Sequence, residues 1–299
     1  MKQPVYFLAI FSILLFACSL STTATPAVVG TAPAIPQPPV ATEPPTATEP
    51  PVATQVPAAT ATLPATVPPA AQTNATCNEM TLFLDPALAS GFSCQSEAEV
   101  AGDPNAPGSP VNPKYTEVTF TGYILSDRFF TPHIDVYPVQ RFSELLPDSI
   151  PSKLTALQAL IGGGLTGDKG LPFLPNFNAA QELYVQYKVN PFGSGNGIRY
   201  LTQFSQFYDP INNIEFFYTF QGLTSDGKYW ISAILPISNP LLPADGKNPP
   251  NGQSEDDFIK GFPTYIAALT TQLNAQPPES YSPMISMLDA LIASLRIQP

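Results

Sequence analysis

Histidine and cysteine are nearly missing from this chain: it has one histidine, His133, and three cysteines among 299 residues. A histidine-rich metal site, a four-cysteine zinc site and an iron–sulfur cluster are thereby excluded, and no cofactor is expected. Basic residues are scarce as well. Twelve Lys and Arg stand against 23 Asp and Glu, a formal net charge of −11, so the chain lacks the positive surface that a phosphate backbone would require. Nucleic acid is not an expected partner. Two local signatures of hydrolytic enzymes, Gly-x-Ser-x-Gly and His-Glu-x-x-His, do not occur. Ser-x-x-Lys occurs at Ser225 to Lys228, on an expected hairpin turn and not at the helix start that would bring the lysine back to the serine.

What the chain has in excess is proline, 37 residues, where an average chain of this length would carry about 5%. With 44% apolar residues it can still bury a domain of roughly 200 to 250 residues. Part of it is therefore expected to be something other than a packed domain.

The N-terminus places Lys2 before an apolar run from Val5 to Ala17. A run of about a dozen residues falls short of the roughly 20 that span a bilayer, and fits the core of an export signal. The run ends in Leu15-Phe16-Ala17-Cys18, which resembles the bacterial lipobox, although Phe16 is bulkier than the usual residue there. The resemblance implies a signal peptide over residues 1–17, cleavage after Ala17, and a diacylglycerol thioether on Cys18. The chain would then be anchored to the outer face of the cell membrane, or to the outer membrane of a cell that has one. The alternatives are a secretory signal cut after Ala17 with a free Cys18, or an uncleaved membrane helix.

Residues 18–76 read as a stalk. From Ser21 to Thr73 the chain is almost entirely Thr, Ala, Pro and Val, without an aromatic residue. It has nothing to bury, and its prolines remove backbone donors, so a semi-extended spacer is expected, on the order of 150 Å at full polyproline reach. Thr and Pro together suit an O-glycosylated stalk, and an unmodified linker suits the composition as well.

Composition changes at Cys77, and residues 77–299 read as one globular domain. In an oxidising compartment Cys77 and Cys94 are expected to pair, closing a loop that contributes roughly 3 kcal/mol in the chain-entropy model. A two-cysteine metal or redox site is the alternative, with a spacing far from Cys-x-x-Cys. Residues 77–113 are thus expected to be a stapled N-terminal segment, with a short linker from 95 to 113.

From Tyr115 onward, period-two runs of β-branched and aromatic residues predict strands over 115–125, 134–139, 183–189, 198–207, 214–222 and 229–237. Ser225-Asp226-Gly227 marks a hairpin. Gly193 to Gly197 leads into a strand and not into a helix, so it reads as a hairpin loop and not a phosphate cradle. Helices are predicted over 150–161, over 254–274 with a kink or break at Pro263, and from Ser282 with Pro283 in its first turn, burying Met284, Leu288, Leu291, Ile292 and Leu295. The expected fold is α+β: a twisted, mostly antiparallel sheet with helices packed on it.

Lys228 to Pro236 and Leu288 to Ile297 resemble the central strand and tail of the extrinsic photosystem-II oxygen-evolving subunits and their bacterial lipoprotein relatives. Cys77 to Leu82 and Gly197 to Gln203 are similar to segments of a bacterial lipoprotein family with no assigned activity. Both resemblances bear on fold, and fold does not carry function.

Two sets of residues could carry chemistry. His133 and Asp135 share one strand face and could orient a base or hold one edge of a metal site; a surface histidine at a strand start is the plain alternative. A less apolar sheet face is expected to gather Gln186, Lys188, Arg199, Gln203, Glu215 and Trp230, with Tyr184 and Thr219, as a surface for a polar ligand or peptide. A solvated or helix-covered face would have the same composition. The functional expectation is a membrane-anchored, non-catalytic module that binds an unidentified envelope ligand or protein, with Arg199 and Trp230 as its anchors. The alternative is an exported hydrolase-like enzyme using carboxylates and His133.

Overall fold

The computed structural model describes residues 74–102, 109–164 and 170–298. The lipobox with Cys18, and the stalk up to residue 73, lie outside the described residues. The apolar alternation after Lys114 forms β4 (Tyr115–Tyr123) and β5 (His133–Pro138), with β3 (Ala89–Glu97) ahead of them. After two helices come β6 (Ala180–Phe192), β7 (Gly195–Ser205), β8 (Phe217–Thr224) and β9 (Tyr229–Pro236). These seven strands form one sheet in the order β3-β4-β5-β9-β8-β7-β6, each neighbouring pair antiparallel. The fold class is α+β, as the patterning predicts. Gly193-Ser194 joins β6 to β7, and Ser225-Asp226-Gly227 lies in the β8–β9 turn.

Both faces of the sheet are covered. Every residue of β8 is buried, and so is all of β9 except the partly exposed Tyr229. One face carries Leu201, Tyr218, Phe220, Ile231 and Ala233 beneath α3 (Glu255–Asn274) and α4 (Ile285–Ser294). The other carries Ile198, Tyr200, Phe217, Trp230 and Ile234 against α1 (Val139–Leu145), α2 (Ile150–Ile161) and the 171–177 segment. The sequence patterning leaves open whether the less apolar face is solvated or covered by helices; α1, absent from the prediction, helps cover it.

The helix ends follow the expected chemistry, with two differences. Ser254 Oγ accepts the Asp257 amide at 3.2 Å and caps α3, and Glu255, Asp256 and Asp257 sit in its first turn. Yet α3 runs through Pro263 unbroken. Pro263 and Ile259, whose carbonyl loses its helical donor, both lie on the exposed side, where water can replace the missing bond. The last helix begins at Ile285, after Ser282 has paired with Ser238 in a short bridge, and Met284 is left exposed.

The N-terminal segment is more than a stapled flap. Residues 75 and 76, assigned to the stalk by composition, belong to β1 (Ala75–Cys77), which pairs with β2 (Met80–Leu82), and β2 pairs with β10 (Arg296–Ile297) after α4. Residues 95–97, expected in a linker, extend β3, and Val100 bridges to Asn112 beyond them. The disulfide between Cys77 and Cys94, with Cα atoms 5.5 Å apart, ties the small sheet to the edge of the large one. Alkylation without reduction followed by peptide mapping should find neither thiol free. Cys94→Ser should lower stability by roughly 3 kcal/mol in chemical denaturation; an unchanged midpoint would show that the bond constrains nothing.

Candidate functional site

The polar residues expected to share one sheet face do not. β7 pairs with β8 so that Arg199 stands opposite Phe220, and Tyr200 opposite Thr219. Side chains alternate along a strand, so Arg199 and Thr219 emerge on opposite faces. Trp230 lies on the Thr219 side. Both proposed anchors are inside the protein: Arg199 is 5% exposed and Trp230 1%.

Each has a structural task. The Arg199 guanidinium meets Asp289 of α4 through Nε at 3.2 Å and Nη2 at 3.3 Å, and donates from Nη1 to the Gln186 carbonyl. Tyr218 donates to the same carboxylate at 3.0 Å, and Lys188 reaches it at 4.0 Å from an exposed position. Gln186, at a bulge in β6, donates its side-chain amide to the carbonyls of Leu273 and Gln276, each at 2.9 Å, and closes the end of α3. On the other face Trp230 Nε1 donates to Gln221 at 2.8 Å, and Gln221 Nε2 donates to Thr219 and Ser232 at 2.9 Å. Gln203 donates to Glu215 at 3.0 Å, and Asn212 donates to that carboxylate at 2.7 Å, fixing the β7–β8 connection. These groups hold elements together and leave no room for a ligand at Arg199 or Trp230.

His133 and Asp135 do share a face, as their spacing predicts. Asp135 is 2% exposed; one oxygen accepts the Tyr137 hydroxyl at 2.7 Å and lies 3.7 Å from His133 Nε2. Its Oδ1 is buried without a partner among the described residues. Burial pushes the carboxyl up to about 6, against the opposing pull of His133 and Tyr137, with Glu117 and Glu97 adding to the rise. No serine, cysteine or lysine side chain is bonded to either side chain among the described residues; Ser232, opposite Asp135 in the β5–β9 pairing, turns its hydroxyl to the Leu174 carbonyl. The pair can hold and pass a proton, and it has no nucleophile of its own.

The folded protein binds this proton more tightly than the unfolded chain, so Asp135 favours folding most below its ordinary value of 3.8, and that advantage is lost as pH rises through about 6. Asp135→Asn should therefore raise the thermal midpoint relative to the parent at pH 8 and leave it close to the parent at pH 4. Equal offsets at both values would count against a buried titrating carboxyl.

A better-formed recess lies at one end of the sheet, where three connections meet: 124–132 between β4 and β5, 170–179 before β6, and 206–216 between β7 and β8. They enclose a cleft of about 420 Å³. Its floor is a packed set of phenylalanines. Phe130 stacks on Phe177 at 5.4 Å and meets Phe217 edge-on at 4.8 Å, and Phe177 meets Phe204 edge-on at 5.2 Å. Phe129 and Phe207 stand on the wall, 67% and 72% exposed. Hydrogen bonding holds both in place: the Phe129 amide donates to the Ile214 carbonyl at 2.9 Å, and the Phe207 amide to Ser205 Oγ at 3.1 Å. Asn178, Gln206, Asp209 and Glu215 complete the lining.

The sequence patterning places Phe204 and Phe207 in the strand over 198–207 and Phe217 in the strand over 214–222, and gives Phe129, Phe130 and Phe177 no element. The signal that marks them is the pairing of large aromatics with turn chemistry, Phe129-Phe130 after Ser126-Asp127 and Phe207-Tyr208 before Asp209-Pro210, where no sheet face is available to bury them. A roomier groove of about 660 Å³ runs between α3 and residues 241–253, but no charged side chain lines it, so it offers shape without strong orientation. Among the described residues no His, Cys, Asp and Glu grouping could hold a metal ion, and no helix is long and apolar enough to cross a membrane. Comparison of the chain with protein-family models, with curated proteins and with solved structures finds no match.

Proposed function

We propose that the chain is an exported, lipid-anchored surface module whose folded domain binds a ligand in the phenylalanine cleft and does not turn it over. The observation that carries the reading is the exposure of Phe129 and Phe207 on the wall of a formed cleft. Leaving large apolar side chains in water costs roughly 1.5–3 kcal/mol each relative to burial, and contiguous exposed apolar surface marks binding sites. The Leu15-Phe16-Ala17-Cys18 motif supports the anchor, and the Thr/Pro-rich residues 18–73 support a spacer that holds the domain off the membrane.

A second reading, an exported hydrolase-like enzyme acting through His133 and nearby carboxylates, is favoured by the unpaired buried oxygen of Asp135. It lacks a bonded nucleophile, and the binding reading is preferred.

Radiolabelled palmitate should enter the protein and Cys18→Ala should abolish the label; equal labelling of both would overturn the anchor. For the site, Phe129→Ser with Phe207→Ser should reduce binding of the unlipidated chain to isolated envelope material at least tenfold. The thermal midpoint should stay within a few degrees, because substitutions of exposed side chains shift stability by only about 0.5 kcal/mol. Full retention of binding would place the site elsewhere.

A further inference from the structure

The cleft is as notable for its charge as for its rings. Asp209 and Glu215 open onto it, and Glu182 of β6 lies close enough to Asp209 to feel its charge. None of the three has a Lys or Arg within ion-pair distance among the described residues. Asp209 accepts one hydrogen bond from Ser205 at 3.0 Å, while Glu215 receives amide donors on a single oxygen, Oε2. Neutral donors of this kind soften a carboxylate's charge without cancelling it. Burial and the neighbouring Asp209 push Glu182 up to about 7, the direction expected where negative charge is crowded and uncompensated. An anionic ligand would be repelled here, and a neutral one would bury the carboxylates further without a counter-charge.

We propose that the phenylalanine cleft binds an organic cation of the methylated ammonium class, its charge set over the faces of Phe129 and Phe207 and balanced by Asp209 and Glu215. The inference rests on the cleft being the ligand site. Phenyl faces carry negative electrostatic potential and attract cations. They offer no hydrogen-bond acceptor in the plane of the ring, so a primary ammonium set over them would give up strong hydration that only Asp209 and Glu215, at the edge of the rings, could replace. A trimethylammonium group spreads its charge over methyl groups, which the rings can cover by van der Waals contact. A cleft of about 420 Å³ lies in the range that encloses a small ligand. A hard metal ion is a poorer fit: its ligands must converge on one point, and these carboxylates line a cleft walled by phenyl rings. The chain's net charge of −11 adds long-range attraction for a cation.

The test is titration of the full chain with choline and, separately, with its neutral carbon isostere 3,3-dimethylbutan-1-ol, followed by calorimetry. Choline should bind at least roughly tenfold more tightly than the isostere, in line with a desolvated cation–π contact. Phe207→Leu, which keeps apolar area and removes the ring, should weaken choline roughly tenfold and leave the isostere nearly unchanged. Asp209→Asn should weaken choline by about fivefold and reduce its salt dependence. Unfolding midpoints of both variants, measured alongside, should match the parent. Equal binding of the two probes would overturn the cation assignment and leave an apolar ligand cleft standing. Binding of neither probe would overturn it too, and the separate envelope-binding experiment with the Phe129 and Phe207 variants would then decide whether the cleft is a site at all.

Discussion

The structure depends on one constraint: the middle of its sheet is covered on both faces. A strand buried on one side can send its polar side chains to water, whereas β8 and β9 have no such side. Each polar group they carry must find a partner within the protein or cost roughly 1–3 kcal/mol. Gln221 meets this by serving Trp230, Thr219, Ser232 and the backbone of Leu174 together. Across the sheet, Arg199 and Tyr218 meet it by converging on Asp289, which locks α4 to the strands beneath it. The polar residues of the core thus dock helices and loops onto the sheet, and they are unavailable for other work.

This explains where sequence reasoning succeeds and where it stops. Periodicity is local, so the six strands after Lys114 and the helices over 150–161 and 255–274 are legible from the order of their residues. Which face a side chain takes relative to a neighbouring strand depends on register, which no single strand carries. Arg199 and Trp230 look like neighbours in sequence logic, yet the unbroken β7–β8 and β8–β9 registers put Arg199 with Phe220 and Trp230 with Thr219, on opposite faces of the sheet. The strands at the N-terminus are illegible for another reason. Ala89–Glu97 holds glycine, serines and glutamine, a composition that suits an edge strand and carries no apolar alternation. Its place is set by pairing to β4 and by the disulfide, neither of which is a local property.

The candidate site shows the same division. His133 and Asp135 are found by spacing because two residues apart on a strand means one face. The phenylalanine cleft is assembled from connections that precede or follow five different strands, all at the same end of the sheet, and no stretch of sequence contains it. Only the misplaced aromatics hint at it. Fold and site have separate origins here: the core fixes the ends of the strands, and the loops held there decide what the surface presents.

The disulfide also sets how the domain would respond to being pulled. Tension arriving along the chain ahead of Asn74 reaches β1 first, and β1 is three residues long, with few hydrogen bonds to resist it. Cys77 is the last of those three, and its bond to Cys94 delivers the load to the middle of β3 instead. There it is shared among eight register pairs with β4. The covalent link makes the large sheet, and not the three residues of β1, the part that bears a load applied ahead of Asn74.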